Sequence, residues 1–399
     1  MAKREVKVFL SIILTMVLLC GIGVLLATKT DDGSVPVEAP VDTSTPVETT
    51  TEPLPTVSVS FLSVGDNLIH DGIYQQANKR AGGNGYDFSY CYKNIAPDVA
   101  AADVATINQE TIISKSNKPS GYPLFNSPHE VGDEIAKIGF DVIAMANNHM
   151  IDKGAKGLSE AIDYWDGVDG VVRTGAYKNE EDLNRVEYIE SNGLKIGLVG
   201  VTQYTNGLSL PKDSELKIIY SADEDIIERK IKNAKENCDM VLVNIHWGNE
   251  YQTTPTQDQK NLAAKMANWG ADVIIGHHPH VIQPVEFIEK ADGTRTLVAY
   301  SLGNFISQQN TPARVVGGML RYTVTKDFNT GKLTVSDVKF EPIVTHYVNG
   351  SHDVQIFKLS QYNDDLAKRQ SGRLKDSKFS VSYIKEFVSG IIDGQFLDS

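Results

Sequence analysis

The chain has 399 residues, 41% of them hydrophobic, and a formal net charge of −13. That length fits one large domain or two small ones. The negative balance, with no Lys/Arg cluster beyond the N-terminus, excludes a nucleic-acid binder. Three cysteines with no C-x-x-C exclude a zinc knuckle or thioredoxin-like motif and leave open whether Cys91 and Cys238 pair.

Lys3, Arg4 and Lys7 precede an uncharged run over residues 8–28. The run is long enough to span a bilayer as one helix, and the positive flank belongs on the cytoplasmic side. The expectation is a single-pass cell-membrane protein whose remaining residues are extracytoplasmic. A cleaved signal peptide is the rival, with Ala27-Thr28 as a weak cleavage site; Leu19 is large where lipoprotein processing at Cys20 wants a small residue. Residues 29–56, rich in Thr, Pro and Glu, cannot bury a core and read as an extended spacer. A domain over 57–345 and a helical extension over 346–399 follow.

Residues 57–64 predict the first strand, ending at Gly65-Asp66 with His70 four residues after the aspartate. That pair supplies one or two metal ligands, although Gly-Asp also describes an ordinary turn. Residues 103–107 predict a second strand, followed by Asn108-Gln109-Glu110. Ser127-Pro128 with Glu130 predicts a capped helix ending at Gly139. A third strand, 140–146, delivers Asn147-Asn148-His149 and then Asp152. An amide oxygen is a neutral metal ligand, and an adjacent His can face a substrate oxygen; Asn-Asn is equally a turn former. Asp152 either orients His149 or caps a helix at 155–166.

Residues 171–175 and 194–201 predict strands, the second without a metal-type ending. A helix over 223–237 leads to strand 239–245, which ends at His246-Trp247-Gly248 with Glu250 beyond. Helix 256–269 stops at Gly270. Strand 271–275 then stops at Gly276 and offers His277, His278 and His280, three of the chain's nine histidines. Gly lets the backbone turn, Pro279 stiffens the loop, and neutral imidazole suits Zn, Mn or Fe. Residues 296–300 lead to Ser301-Leu302-Gly303-Asn304-Phe305, and 318–344 predict a hairpin turning at Asn329-Thr330-Gly331. The tail predicts amphipathic helices near 357–369 and 380–392.

Strands and helices mostly alternate, which predicts an α/β fold. Ligands of open α/β sheets sit beyond the carboxyl ends of the strands. Asp66, Glu110, Asn148, His246 and His278 all follow such ends. A mixture of carboxylate, amide and imidazole suits one or two divalent transition ions, with a carboxylate and a nucleophilic water between them.

With these motifs the chain resembles the bacterial CapA/PgsA capsule-synthesis family, associated with poly-γ-glutamate production and similar in fold to calcineurin-like metallophosphatases. The likeness rests on Gly65-Asp66…His70, Asn108-Gln109-Glu110, Asn147-Asn148-His149…Asp152-Lys153-Gly154, His246-Trp247-Gly248…Glu250, Gly276-x-His278-Pro279-His280-Val281-x-Gln283 and Tyr300–Phe305, spanning 58–306. It implies a four-layer α-β-β-α sandwich. It also implies Asp66, Asn148, His246, His278 and His280 as metal ligands, with Glu110 in the bridging position and His149 as the acid for the leaving group. His70 lies four residues after Asp66 where the metallophosphatases have Asp-x-His, and Glu110 stands where they carry an aspartate. His278 and His280, not His277, have the alternation of their Gly-His-x-His.

Two functions remain open. One is an extracytoplasmic metal-dependent hydrolase acting on a phosphoester or an acidic polymer. The other is a non-catalytic accessory subunit working with other membrane subunits of a poly-γ-glutamate synthase. An acidic domain repels a polyanion at long range, so binding one needs metal ions or local Lys/Arg. No Gly-rich phosphate loop supports a transferase or ligase.

Overall fold

Runs of β-branched and aliphatic residues bounded by Gly, Asn and Asp form fourteen strands among the described residues. They are Thr56–Asn67 (β1), Val104–Asn108 (β2), Val142–Ala144 (β3), Val172–Thr174 (β4), Glu187–Ser191 (β5), Leu194–Thr202 (β6) and Met240–His246 (β7). The remainder are Val273–His277 (β8), Val285–Glu289 (β9), Arg295–Ala299 (β10), Asn304–Ile306 (β11), Val316–Asp327 (β12), Leu333–Tyr347 (β13) and Val354–Lys358 (β14). The computed structural model describes residues 55–347 and 353–397. The expected anchor at 8–28 and nearly all of the spacer lie outside the described residues. No described helix is long and apolar enough to cross a membrane.

The strands make a mixed α/β sandwich of two sheets. The first runs β14-β13-β12-β1-β2-β3-β4 with β11 also paired to β1, and the second runs β5-β6-β7-β8-β10-β9. Strands β1 to β4 are parallel neighbours, as are β6, β7, β8 and β10. Alternation along the second sheet assigns its two faces. Ile196, Leu198 and Leu242 join a core shared with the first sheet. Val199, Val201, Val241 and Val243 pack instead with Ile227, Ile231, Ala263 and Met266 of the helices Glu224–Asn237 and Gln257–Trp269. Burial on both faces explains why β6 to β8 are almost wholly apolar until their last residues. Each fully buried aliphatic contributes about 1.5–3 kcal/mol, which fixes the strand ends that carry the polar groups.

Several local expectations change. Pro128, not Ser127, precedes the helix His129–Ile138, and no side chain caps it. The Ser127 hydroxyl lies 2.6 Å from that of Thr111, so it has another partner. The predicted helix at 357–369 is divided. Val354–Lys358 pairs antiparallel with β13, and the helix starts at Asp364, capped by Asn363. The short run was helical in period but is drawn into a sheet edge. Strands β5 and β9 were also hidden, being half-exposed edge strands of mixed composition. Cys91 and Cys238 are both free thiols, Cys91 buried.

Candidate metal centre

The parallel strands of both sheets end together, and their last residues converge. Gly65 allows this approach: a Cβ there would lie 1.8 Å from the Gly303 carbonyl oxygen, which accepts the Asp66 N–H at 2.9 Å. Gly276 is comparably confined, since its Cβ would meet the Tyr300 carbonyl oxygen at 2.0 Å. Beyond it the backbone is strained. His278 has φ +99° and His280 φ +58°, in a region that side-chain-bearing residues rarely adopt. Four of the seven such non-glycine residues described, Asn206, Tyr251, His278 and His280, belong to the loops around this centre.

Asp66, Glu110 and His280 are buried, and one ligand atom from each lies within 4.8 Å of the other two. His280 Nδ1 is 3.1 Å from Asp66 Oδ2, and its Nε2 is 3.7 Å from Glu110 Oε1. A second convergence surrounds His246 Nε2. Asn148 Oδ1 lies 3.0 Å from it, His278 Nδ1 3.1 Å and Glu110 Oε1 3.7 Å. Glu110 therefore stands between two groups of ligand atoms. Both its carboxylate oxygens are buried with no hydrogen-bond partner. A buried carboxylate so placed costs several kcal/mol unless a cation meets it. That orphaned carboxylate, among imidazoles and an amide oxygen, fits a divalent transition ion.

The protonation states agree. Burial opposes ionisation of Asp66, but the hydrogen bond and charge of His280 outweigh it and hold its carboxyl below the usual range. Burial and nearby Asp66 push Glu110 well up, against the pull of His280. Burial disfavours the charged His280 too, yet Glu110 and Asp66 raise it to about 9. Burial first, then neighbouring histidines, keeps His246 well below its ordinary value and His278 at about 3, so both imidazoles are neutral. Without metal, then, a proton on His280 does part of a cation's work.

His70 stands apart from these contacts. Its Nδ1 lies 3.1 Å from the Leu68 carbonyl oxygen and 3.2 Å from the Gln308 backbone N–H, and its ring meets Phe125 edge-on. His277 is buried with Nδ1 3.7 Å from Asp66 Oδ1 and no hydrogen bond there. His149 donates from Nδ1 to Asp152 Oδ2 at 2.8 Å, and the same oxygen accepts the Phe125 N–H at 2.7 Å. Asp152 does not cap the following helix Gly154–Asp166, whose N-terminal flank has no side-chain cap. Phe125 packs edge-on against His149, fixing the ring.

Other residues complete the centre, and of these Tyr204 and Asn206 went unnoticed in the sequence. The β6 end contributes Tyr204, whose hydroxyl makes a short hydrogen bond with His278 Nε2. Asn206 Oδ1 accepts from Asn148 Nδ2 at 3.3 Å. Asn304 Oδ1 is 3.1 Å from His280 Nδ1, and Asn108 Nδ2 donates to Asp66 at 2.8 Å. For β6 the signal was position alone: a buried parallel strand ending beside the ligand-bearing β7.

Comparison with known proteins finds relatives of this chain. The profile of the family described as "Bacterial capsule synthesis protein PGA_cap" matches residues 60–309. The capsule biosynthesis protein CapA of Bacillus anthracis is 28% identical over 334 residues, covering 81% of this chain and 77% of its own. The PGA biosynthesis protein CapA of Bacillus subtilis (strain 168) is 28% identical over 285 residues, 71% of each chain. The solved structure of a novel phosphatase from Mycoplasma pneumoniae is similar at a TM-score of 0.41 and 15% identity, over 73% of this chain and 95% of that one.

Proposed function

The chain belongs to the bacterial capsule synthesis protein family, and from that premise we propose that it is a metal-dependent hydrolase of capsule or poly-γ-glutamate assembly. The reading places residues 57–399 outside the cell membrane, tethered by residues 8–28, and gives the sandwich the four-layer metallophosphatase arrangement. The observation that carries it is Glu110, buried, unpartnered and set between two groups of ligand atoms.

In this reading Asp66, Glu110 and His280 would hold one divalent ion, and Glu110, Asn148, His246 and His278 a second. His70 Nδ1 is engaged by a backbone carbonyl and amide. Such ions supply electrostatic polarisation of the scissile group and a water of lowered pKa. The chain's own residues do the rest. Asp152 fixes the His149 ring and takes its Nδ1–H, leaving Nε2 to carry a proton to the leaving oxygen. Tyr204 and Asn206 hold His278 and Asn148 in place.

The substrate is a phosphoester or an acidic polymer. The test is turnover by the purified chain, supplied with Mn, Zn or Fe, on a phosphomonoester and phosphodiester panel and on poly-γ-glutamate. Metal-dependent cleavage of one of these is the expected result. No turnover on any, with metal bound, rejects the enzyme and favours the second reading, an accessory subunit beside other membrane components. The net charge of −13, which repels a polyanion, favours that second reading for the polymer.

A further inference from the structure

We infer that Arg314, stacked on Tyr251 at the edge of the metal centre, is an anion-binding subsite for carboxylate or phosphate oxygens of the molecule hydrolysed there. The inference rests on the hydrolytic reading above and adds a residue that selects the substrate.

Arg314 lies in the short 3-10 turn Pro312–Val315. Its guanidinium carbon is 3.3 Å from the centroid of the Tyr251 ring. Both residues are tied to His280. The Tyr251 ring is 6.2 Å from the His280 ring, and the Tyr251 N–H donates to the Pro279 carbonyl at 2.7 Å. The Arg314 carbonyl accepts from Asn304 Nδ2 at 2.9 Å, and Asn304 Oδ1 reaches His280 Nδ1. The cation is thus anchored through its backbone and its stacked face to one ligand of the centre.

Its N–H edge has no such engagement. Among the described residues no carboxylate lies within ion-pair distance of Arg314, and its guanidinium donates to no protein acceptor. Arg80, Arg173, Arg185 and Arg321 each meet an aspartate. Tyr251 is 41% exposed and Arg314 partly so, so solutes reach the pair. A planar guanidinium held by an aromatic face keeps its donor fork oriented at little entropic cost, and that fork matches carboxylate and phosphate. The need for it is electrostatic. Asp66 and Glu110 are taken up by the metal ions in that reading, but Glu250 is exposed and lies close enough to act on Glu110. An incoming anion meets that charge, which an unpaired arginine offsets.

The test measures dissociation constants of two probes, inorganic phosphate and glutarate, on the manganese-loaded full chain by calorimetry, with metal content followed in parallel. Losing a bidentate charged contact weakens binding by about tenfold or more. Arg314→Ala is expected to weaken at least one probe by that factor with metal content unchanged. Loss for phosphate identifies a phosphoester subsite, and loss for glutarate a carboxylate subsite. Arg314→Lys keeps the charge without the fork and is expected to recover only part of the affinity. Arg314→Gln repeats the test if the alanine variant does not fold. Affinities for both probes within about twofold of the parent in these variants overturn the inference, as does a parent that binds neither. If the parent takes up no metal, the hydrolytic reading fails by itself. The same titrations on that protein then decide whether Arg314 binds anions.

Discussion

Two buried clusters in this molecule each centre on a buried glutamate and differ in what completes them. Around Glu187 the cations are built in. Lys230 lies 3.7 Å from Glu187 Oε2 and donates to the carbonyls of Leu183 and Arg185 at 2.8 Å each. Arg173 reaches Asp166 at 2.7 Å and Asp182 at 3.1 Å. Around Glu110 there is no lysine or arginine: Asp66, imidazoles and amides surround it, burial keeps His246 and His278 neutral, and the one positive charge is a proton on His280 that a metal can displace. A protein that supplies its own counter-charge has built scaffold. One that gathers carboxylates and neutral imidazoles without it has built a place for an external cation.

The largest expected effect separates catalysis from both clusters. His149→Ala removes the proton donor and is expected to lower turnover by about 10²–10⁴ on substrates with poor leaving groups, and less on activated aryl esters. Metal content stays at the parent level. Equal losses on both substrate types reject the donor role.

Next comes the scaffold cluster. Lys230→Met leaves Glu187 buried without its nearest cation and is expected to cost about 3–5 kcal/mol in denaturant unfolding, with metal uptake retained by the folded protein. Glu110→Gln is expected to act in the opposite direction in metal-free protein. The folded state raises the Glu110 pKa, so above its unfolded value the ionised group is a penalty that grows with pH, and a neutral amide removes it. If both substitutions destabilise the metal-free protein alike, the distinction between the clusters falls.

Chelation tests the missing cation. An ion that binds only the folded state stabilises it by about 2.7 kcal/mol at a hundredfold excess over its Kd. Removing it from the parent is expected to lower the unfolding midpoint, and removing it from Glu110→Gln to do much less. Per unit of pH the expected effect is the smallest. Metal must displace the proton that His280 holds up to about 9. Affinity therefore rises with pH toward that value, by about tenfold per unit for one displaced proton. A pH-independent affinity between 6 and 9 contradicts the assignment of His280.

Much of the centre was legible because strand ends are readable. Asp66, Glu110, Asn148, His246 and His278 each follow an apolar run, and the structure brings these five together. His70 was placed with them by spacing alone; the chain turns there into the helix Asp71–Arg80, and the His70 Nδ1 meets the Leu68 carbonyl and the Gln308 N–H. Tyr204 was missed because β6 ends in no ligand-like residue, and only the sheet order β6-β7-β8 puts its loop beside His278. Arg314 was invisible for a similar reason. It follows Asn304 by ten residues, and its relation to His280 runs through Asn304 and through Tyr251, sixty-three positions earlier in the chain. The strand β14 and the later start of the helix Asp364–Leu374 show the same limit, since a short apolar run does not declare its edge partner.

The central claim is that the Glu110 cluster is a divalent metal site, and elemental analysis of the purified folded chain tests it most directly. The account predicts one or two transition ions per chain, reduced in both His246→Ala and His278→Ala and unchanged in Lys230→Met. Metal content that is unchanged in both histidine variants contradicts it.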